Sequence, residues 1–259
     1  MDLGLKGRKA IVCASSEGLG RGCAFALAEA GCEVVINGRT AENVAATAAE
    51  ISERFDVKVH EVAADVSIPE GQRALLEACP APDILVNNNG GPPRANFVDL
   101  TREAMINGVI QNMVTPAELI QQVAPGMAER GFGRVVNITS LSVLMPIEGL
   151  DLSSAARAGL TAFLAGVRPL FAADNVTINN LLPGKMDTKR LRGGLAAGAK
   201  AGGVPVEKVT EAQRAEIPAK RFGTADEFGQ TCAFICSQHA GYMTGQNILL
   251  DGGLFPHSF

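Results

Sequence analysis

The chemically suggestive residues nearest the start of the chain form a short loop, Ala14-Ser15-Ser16-Glu17-Gly18-Leu19-Gly20. An apolar run, Lys9–Cys13, precedes it, and Leu19, Cys23, Ala26, Leu27 and Ala30 then recur at steps of three and four. The pattern reads as strand, turn and helix. Glycines at 18 and 20 let the backbone approach a pyrophosphate closely. The helix start turns free N–H groups and the positive end of its dipole toward that charge. A glycine pair alone says little, but between a strand and a helix it points to a dinucleotide. The next apolar run ends in Ile36-Asn37-Gly38-Arg39-Thr40. A carboxylate here would hold both ribose hydroxyls of NAD, and none is present. Arg39 instead offers a guanidinium suited to a 2′-phosphate, so NADP(H) is expected in preference to NAD(H).

Other chemistries find less support. Six cysteines (Cys13, Cys23, Cys32, Cys79, Cys232 and Cys236) lack metal-type pairing and read as reduced core residues, so no metal is expected. Net charge is -4 and no basic stripe occurs, which argues against nucleic acid. The N-terminus has only a short apolar run, and nothing is apolar for long enough to cross a bilayer. A cytoplasmic protein is expected.

Stepping along the chain, apolar strands alternate with helical patterns. The predicted strands are Lys9–Cys13, Glu33–Ile36, Val57–Ala63, Ile84–Val86, Arg134–Ile138, Val176–Leu181 and Gln246–Leu250. Between them come helices at Ala41–Arg54, Pro69–Ala78 and Arg102–Arg130, the last with an irregularity at Pro125. A further helix spans Ser153–Phe171 and contains Pro169. The expectation is one α/β domain over 1–259: a doubly wound, Rossmann-type, seven-stranded, mostly parallel sheet with helices on both faces. Its ligand site lies at the carboxyl ends of the strands, where strand order reverses. Between Gly184 and Phe222 the alternation fails, and the segment reads as a lid or substrate loop. It holds nine basic residues against four acidic ones, read as a solvated surface or as a mouth that attracts anions.

With these residues in view, the chain resembles the short-chain dehydrogenase/reductase family, in particular the 3-oxoacyl-carrier-protein reductases and their relatives. The family's T-G-x-x-x-G-x-G loop aligns with Cys13-Ala14-Ser15-Ser16-Glu17-Gly18-Leu19-Gly20, so Cys13 and Ala14 replace Thr and the first Gly. Alanine resists positive φ, so either this position does not need one or the turn is remodelled. Asp65-Val66 resembles the adenine contact. Asn87-Asn88-Asn89-Gly90 resembles N-N-A-G, with Asn89 in place of alanine. Pro183-Gly184 with Thr188 resembles the P-G-x-x-x-T that meets the nicotinamide amide. Arg221-Phe222-Gly223 and Asp251-Gly252-Gly253 resemble R-x-G and D-G-G, so the likeness runs essentially the whole length.

The resemblance implies a catalytic Asn-Ser-Tyr-Lys set, and two members are replaced. Asn112 matches the Asn that anchors a water relay, and Ser140 the Ser that holds the substrate oxygen. Ser153-Ser154-Ala155-Ala156-Arg157-Ala158-Gly159-Leu160 aligns with Y-x-x-S-K-A-G-L, placing Ser153 at the proton-donating Tyr and Arg157 at the Lys that binds the nicotinamide ribose. The single tyrosine, Tyr242, falls in Tyr242-Met243-Thr244-Gly245, resembling Y-x-T-G, and reads as a packing residue. A serine hydroxyl is far less acidic than a phenol and a whole ring shorter. Arg157 stays protonated and relays no proton. The implied function is an NADP(H)-dependent oxidoreductase for a small alcohol/carbonyl pair, with atypical proton transfer. The alternatives are an NADP(H)-binding regulatory module without turnover, or a different reaction on the same scaffold. For the latter, Lys185 and Asp187 are candidate acid/base groups, against a reading as surface charges. The resemblance also implies a homo-oligomer, tetramer or dimer, built on the Arg102–Arg130 and Ser153–Phe171 helices.

Overall fold

A computed structural model describes residues 1–92 and 94–256, so Pro93 and residues 257–259 of the expected domain lie outside the described residues. Seven strands form one sheet in the order β3-β2-β1-β4-β5-β6-β7. They are β1 (Lys9–Val12), β2 (Glu33–Gly38), β3 (Val59–Ala63), β4 (Ile84–Asn87), β5 (Gly133–Ile138), β6 (Val176–Pro183) and β7 (Asn247–Leu250). Every pairing is parallel, so the sheet is more regular than the mostly parallel expectation.

Alternate strand residues feed two cores on opposite faces, as the period of two requires. Val12, Val34, Ile36, Val86 and Val136 enter the core with α1 (Gly18–Glu29), α2 (Ala41–Arg54) and α9 (Ala225–Cys236). Ile11, Val35, Leu85 and Val135 enter the other, with α3 (Pro69–Ala78), α5 (Thr115–Glu129) and α6 (Asp151–Val167). The chain moves outward from β1 to β3, then returns to place β4 on the other side of β1. The carboxyl ends of β1 and β4 therefore open the crevice expected at such a reversal.

Four sequence expectations need correction. The single helix expected over Arg102–Arg130 is α4 (Arg102–Val109) and α5, joined by a π turn at Ile110–Val114. The irregularity lies there, because Pro125 sits within an unbroken α5 whose neighbours Val123, Ala124 and Met127 are buried in the core. Pro169 lies beyond the end of α6, in a 3₁₀ turn at Arg168–Leu170, where its missing N–H costs no α-helical bond. The segment expected as a loop over 184–222 contains two helices, α7 (Lys189–Gly202) and α8 (Val206–Glu216). Glycines weaken the periodic signal of α7, yet Leu195 packs with Ile217 and Phe222 in a small separate core. Tyr242, expected to pack, is fully exposed in the turn after Gly241.

All six cysteines are free and buried, as expected, and burial pushes the Cys13 thiol up to about 12. Among the described residues no His/Cys/Asp/Glu group could hold a metal ion, and no helix is long and apolar enough to cross a membrane.

Candidate active site

The loop after β1 is held by backbone contacts that leave the start of α1 open. Ala14 does adopt a positive φ, 45°, a conformation that costs an alanine roughly 1–2 kcal/mol. Two bonds hold it there: its N–H donates to Asn37 Oδ1 at 2.9 Å, and its carbonyl accepts from Asn88 Nδ2 at 3.1 Å. The turn is thus neither relaxed nor rebuilt; alanine takes the glycine-like conformation. Ser15 is buried, donating through Oγ to the Val12 carbonyl at 2.6 Å and accepting from the Asn37 N–H at 2.9 Å. The Ser16 carbonyl accepts from Thr47 Oγ1 at 3.0 Å. Gly18 has φ 60°, and at Gly20 a side chain would collide with the Ala14 carbonyl. No side chain caps α1, so the first N–H groups, at Gly18, Leu19 and Gly20, have no side-chain acceptor among the described residues.

Asn37 was overlooked as a positioning residue. It is buried, and its Nδ2 also donates to the carbonyls of Val62 and Ala64 at 3.0 and 3.1 Å, tying the loop to the end of β3. An asparagine, more common in turns than in strands, was the available signal. Arg39, immediately beyond β2, is exposed and makes no ion pair or hydrogen bond among the described residues.

The remaining cofactor candidates follow the carboxyl ends of β3, β4 and β6. Asp65 Oδ1 accepts from the Ser67 N–H at 2.8 Å, and Val66 is buried behind it. Asn89 donates to Ser67 Oγ at 3.0 Å and to the Gln111 carbonyl at 3.3 Å, so the residue that replaces alanine ties this loop to the π turn. Gly90 follows, exposed. Pro183 ends β6, and the Gly184 N–H donates to the Leu250 carbonyl at 2.8 Å. Thr188 caps α7 by accepting from the Leu191 N–H at 3.3 Å. Its methyl lies 3.8 Å from where a Cβ on Gly18 would stand, so the glycine loop and the segment after β6 face each other.

At the β5 side the residues matched to the catalytic set come together in part. Asn112 lies in the π turn, buried, with Nδ2 donating to the Gly108 carbonyl at 3.3 Å. Asn112 and Arg157 line one cavity of about 20 Å³ with Asn87, Asn88, Asn89 and Asn137, room for roughly one water. Asn87 Oδ1, Asn112 Oδ1 and Thr115 Oγ1, all from residues lining this cavity, are buried without a hydrogen bond to protein. Such groups suit a polar guest. Arg157 donates through Nε to Ser153 Oγ at 3.0 Å and through Nη1 to the Ile138 carbonyl at 2.6 Å. Its pKa is lowered to about 10, chiefly by burial and secondarily by Arg190, so it remains a cation near neutrality. Ser153 is buried under this contact. Ser140 begins the 3₁₀ turn Leu141–Val143, accepting from the Ser142 N–H at 3.0 Å. Ser140 and Ser153 are absent from the cavity lining; Arg157 joins Ser153 to it.

An asparagine row unnoticed in the sequence supports this end of the sheet. Asn87, Asn137, Asn180 and Asn247 stand in register on β4, β5, β6 and β7. Each amide donates to the next, at 2.9, 3.1 and 2.8 Å. Lys185 and Asp187, the alternative acid/base pair, are engaged instead in ion pairs with Glu216 and Arg192.

The geometry therefore offers an uncapped helix start at Gly18, a facing wall at Thr188, and a hydrogen-bonded Arg157–Ser153 pair whose cation shares a small cavity with Asn112. Residues 13–255 match the family model described as Enoyl-(Acyl carrier protein) reductase. The chain is 29% identical over 259 residues to the 3-oxoacyl-[acyl-carrier-protein] reductase of Aquifex aeolicus, covering 98% of this chain and 100% of that protein. It is 33% identical over 260 residues to the acetoacetyl-CoA reductase of Allochromatium vinosum, covering 96% and 99%. Its structure matches L-sorbose reductase from Gluconobacter frateurii, solved with NADPH and L-sorbose, with a TM-score of 0.94 at 27% identity, covering 99% and 100%.

Proposed function

The chain belongs to the short-chain dehydrogenase/reductase family of oxidoreductases, and from that premise we propose that it interconverts a small alcohol and its carbonyl with NADP(H), without a tyrosine in the proton step. The observation that carries this reading is the open start of α1 facing Thr188, with the unpaired Arg39 at the far end of the crevice. The residues fit the cofactor: uncapped amides at 18–20 for the pyrophosphate and a guanidinium for the 2′-phosphate. Asp65 and Val66 suit the adenine, and Asn88, Asn89 and Gly90 border the ribose. Pro183, Gly184 and Thr188 suit the nicotinamide. The structural relative with NADPH supports the same choice. When bound, NADPH supplies the hydride.

The chain's own residues then orient and neutralise. Ser140 Oγ holds the substrate oxygen. Arg157 has a terminal nitrogen, Nη2, without a hydrogen-bond partner among the described residues, and holds the ribose hydroxyls with it. Arg157 gives up no proton near neutrality, and Ser153, pinned by Arg157 Nε, is too short to reach the substrate oxygen. The proton therefore comes from water admitted where a tyrosine ring would lie. Losing a positioned donor costs on the order of a hundred- to ten-thousand-fold in rate, so turnover is slow. Residues 1–259 act as one domain. The exposed Met105, Ile106 and Val109 of α4 and Phe163 of α6 suit a homo-oligomer packed through these helices. Six unpaired cysteines suit the reducing cytoplasm.

The test is a fluorescence titration with NADPH, followed by loss of NADPH absorbance with ketones, aldehydes and oxoacyl thioesters. We expect binding, and slow oxidation that disappears in Ser140→Ala. Binding with no oxidation by any carbonyl would establish the second reading, a cofactor-responsive module, which the Ser153 and Arg157 replacements favour.

A further inference from the structure

We infer that Arg190 and Arg94 form an anion site at the mouth of the cleft, so that the molecule held beside the cofactor carries a carboxylate or phosphate. The inference rests on the proposed function only for where the reacting carbonyl lies. Four cations occur between residues 185 and 192. Lys185 pairs with Glu216, Lys189 with Glu17 and Arg192 with Asp187. Arg190 alone has no carboxylate among the described residues.

Arg190 is nevertheless fixed in place. Its Nη1 and Nη2 donate to the carbonyls of Gly91 and Pro92 at 3.3 and 3.1 Å. This turn directly follows Asn88–Gly90. A Cβ on residue 91 would stand 3.1 and 3.2 Å from those nitrogens, so glycine lets the guanidinium lie against the chain. The bonds use the two Nη atoms, and Nε has no partner among the described residues. Arg94, two residues beyond Pro92, is exposed and makes no hydrogen bond or ion pair among the described residues. Glu148 and Asp151, near Arg94 across Gly149, are exposed and pair with neither arginine.

Arg94 and Arg157 both lie within electrostatic reach of Arg190, and the guanidiniums of Arg157 and Arg190 are held below their ordinary pKa, first by burial and then by each next cation. Three like charges without an ion-pair partner among the described residues repel one another, and an anionic guest turns that repulsion into binding. The cofactor's phosphates are the competing guest, because Thr188 and Lys189 of the same segment reach Gly18 and Glu17 of the glycine loop. Arg190 itself is turned to the segment after β4, and the NADPH affinity of Arg190→Gln separates the two guests. Arg fits either a carboxylate or a phosphate by its paired N–H donors.

The test uses twin carbonyl compounds on the NADPH-loaded full chain: levulinate against levulinamide, and dihydroxyacetone phosphate against dihydroxyacetone. Binding is read by calorimetry and turnover by NADPH absorbance. We expect at least one anion to bind about ten- to a hundred-fold tighter than its neutral twin, the scale of a charge-assisted hydrogen bond. The preferred pair identifies carboxylate or phosphate. Arg190→Gln abolishes the preference and leaves NADPH affinity unchanged. Arg94→Gln, which breaks no bond of the fold, reduces it. Equal binding of the twins, no binding of any of the four, a preference that survives Arg190→Gln and Arg94→Gln together, or an equal loss of NADPH affinity in Arg190→Gln overturns the inference. Anion preference without turnover of these compounds leaves it standing, and the reaction is then judged by the wider carbonyl panel of the proposed function.

Discussion

Gly20→Ala adds one methyl group where the cradle is tightest. The new Cβ would stand 2.8 Å from Asn88 Nδ2 and 3.0 Å from the Ala14 carbonyl carbon, and nearer still to the Ala14 carbonyl oxygen. Ordinary contact for such atoms is 3.4–4 Å. Neither neighbour yields easily, because Asn88 Nδ2 already donates to the Ala14 carbonyl and the Ala14 N–H is held by Asn37. Relief requires the 14–20 loop to move by roughly half an ångström or more, and overpacking of this kind costs about 1–3 kcal/mol. In the proposed function the displaced backbone is the surface that meets the pyrophosphate, so about the same energy is lost from binding, roughly a ten- to hundred-fold weaker NADPH complex. Calorimetric titration of wild type and variant, each checked for folding by circular dichroism, measures it. A folded Gly20→Ala protein that binds NADPH as tightly as wild type would refute the placement of the pyrophosphate on this loop.

Ala14→Gly, by contrast, relieves strain. Roughly 1–2 kcal/mol of left-handed strain is offset by about 0.4–1 kcal/mol of added unfolded-chain entropy, so the melting temperature rises by about 2 °C; a fall would contradict the strain assigned here. Ser153→Tyr with Arg157→Lys restores a phenol and a lysine beside the intact Asn112 and Ser140, and reductase turnover is expected to rise about a hundred-fold or more; no change in a folded double variant would break the alignment of the site. Glu227 is held down at about 2, first by its hydrogen bond from Arg221 and then by the Thr224 N–H it accepts in the α9 capping box. Its contribution is complete above about 4.5 and is lost as pH falls through 2. Glu227→Gln therefore melts lower than wild type at neutral pH, and the gap closes on acidification; a gap that stays constant down to pH about 2.5 would show that the carboxylate charge is not what matters.

The sheet was legible because its strands are short apolar runs bounded by turns, and two-sided burial leaves few other solutions. The glycine loop was legible because glycine is required where φ is positive or a side chain would collide, as at Gly18 and Gly20. What escaped was set by tertiary context. Nothing local distinguishes a π turn from an α-helix at Ile110–Val114, and it is the turn that carries Asn112. The helix over Lys189–Gly202 was obscured by its glycines, although Leu195 has a core to face. Asn37 and the Asn87-Asn137-Asn180-Asn247 row act across strands far apart in sequence, so their partners appear only once the strands are in register. The excess of basic residues over 184–222 left a solvated surface and an anion-attracting mouth both open, and only the pairing of Lys185, Lys189 and Arg192 sets Arg190 apart from its neighbours.

The most direct examination of the central claim is calorimetry of the purified, folded chain with NADPH and with NADH. Saturable NADPH binding is expected, tighter than NADH by about ten-fold or more, with the difference removed in Arg39→Ala. Absence of any heat with NADPH from a folded protein would contradict it.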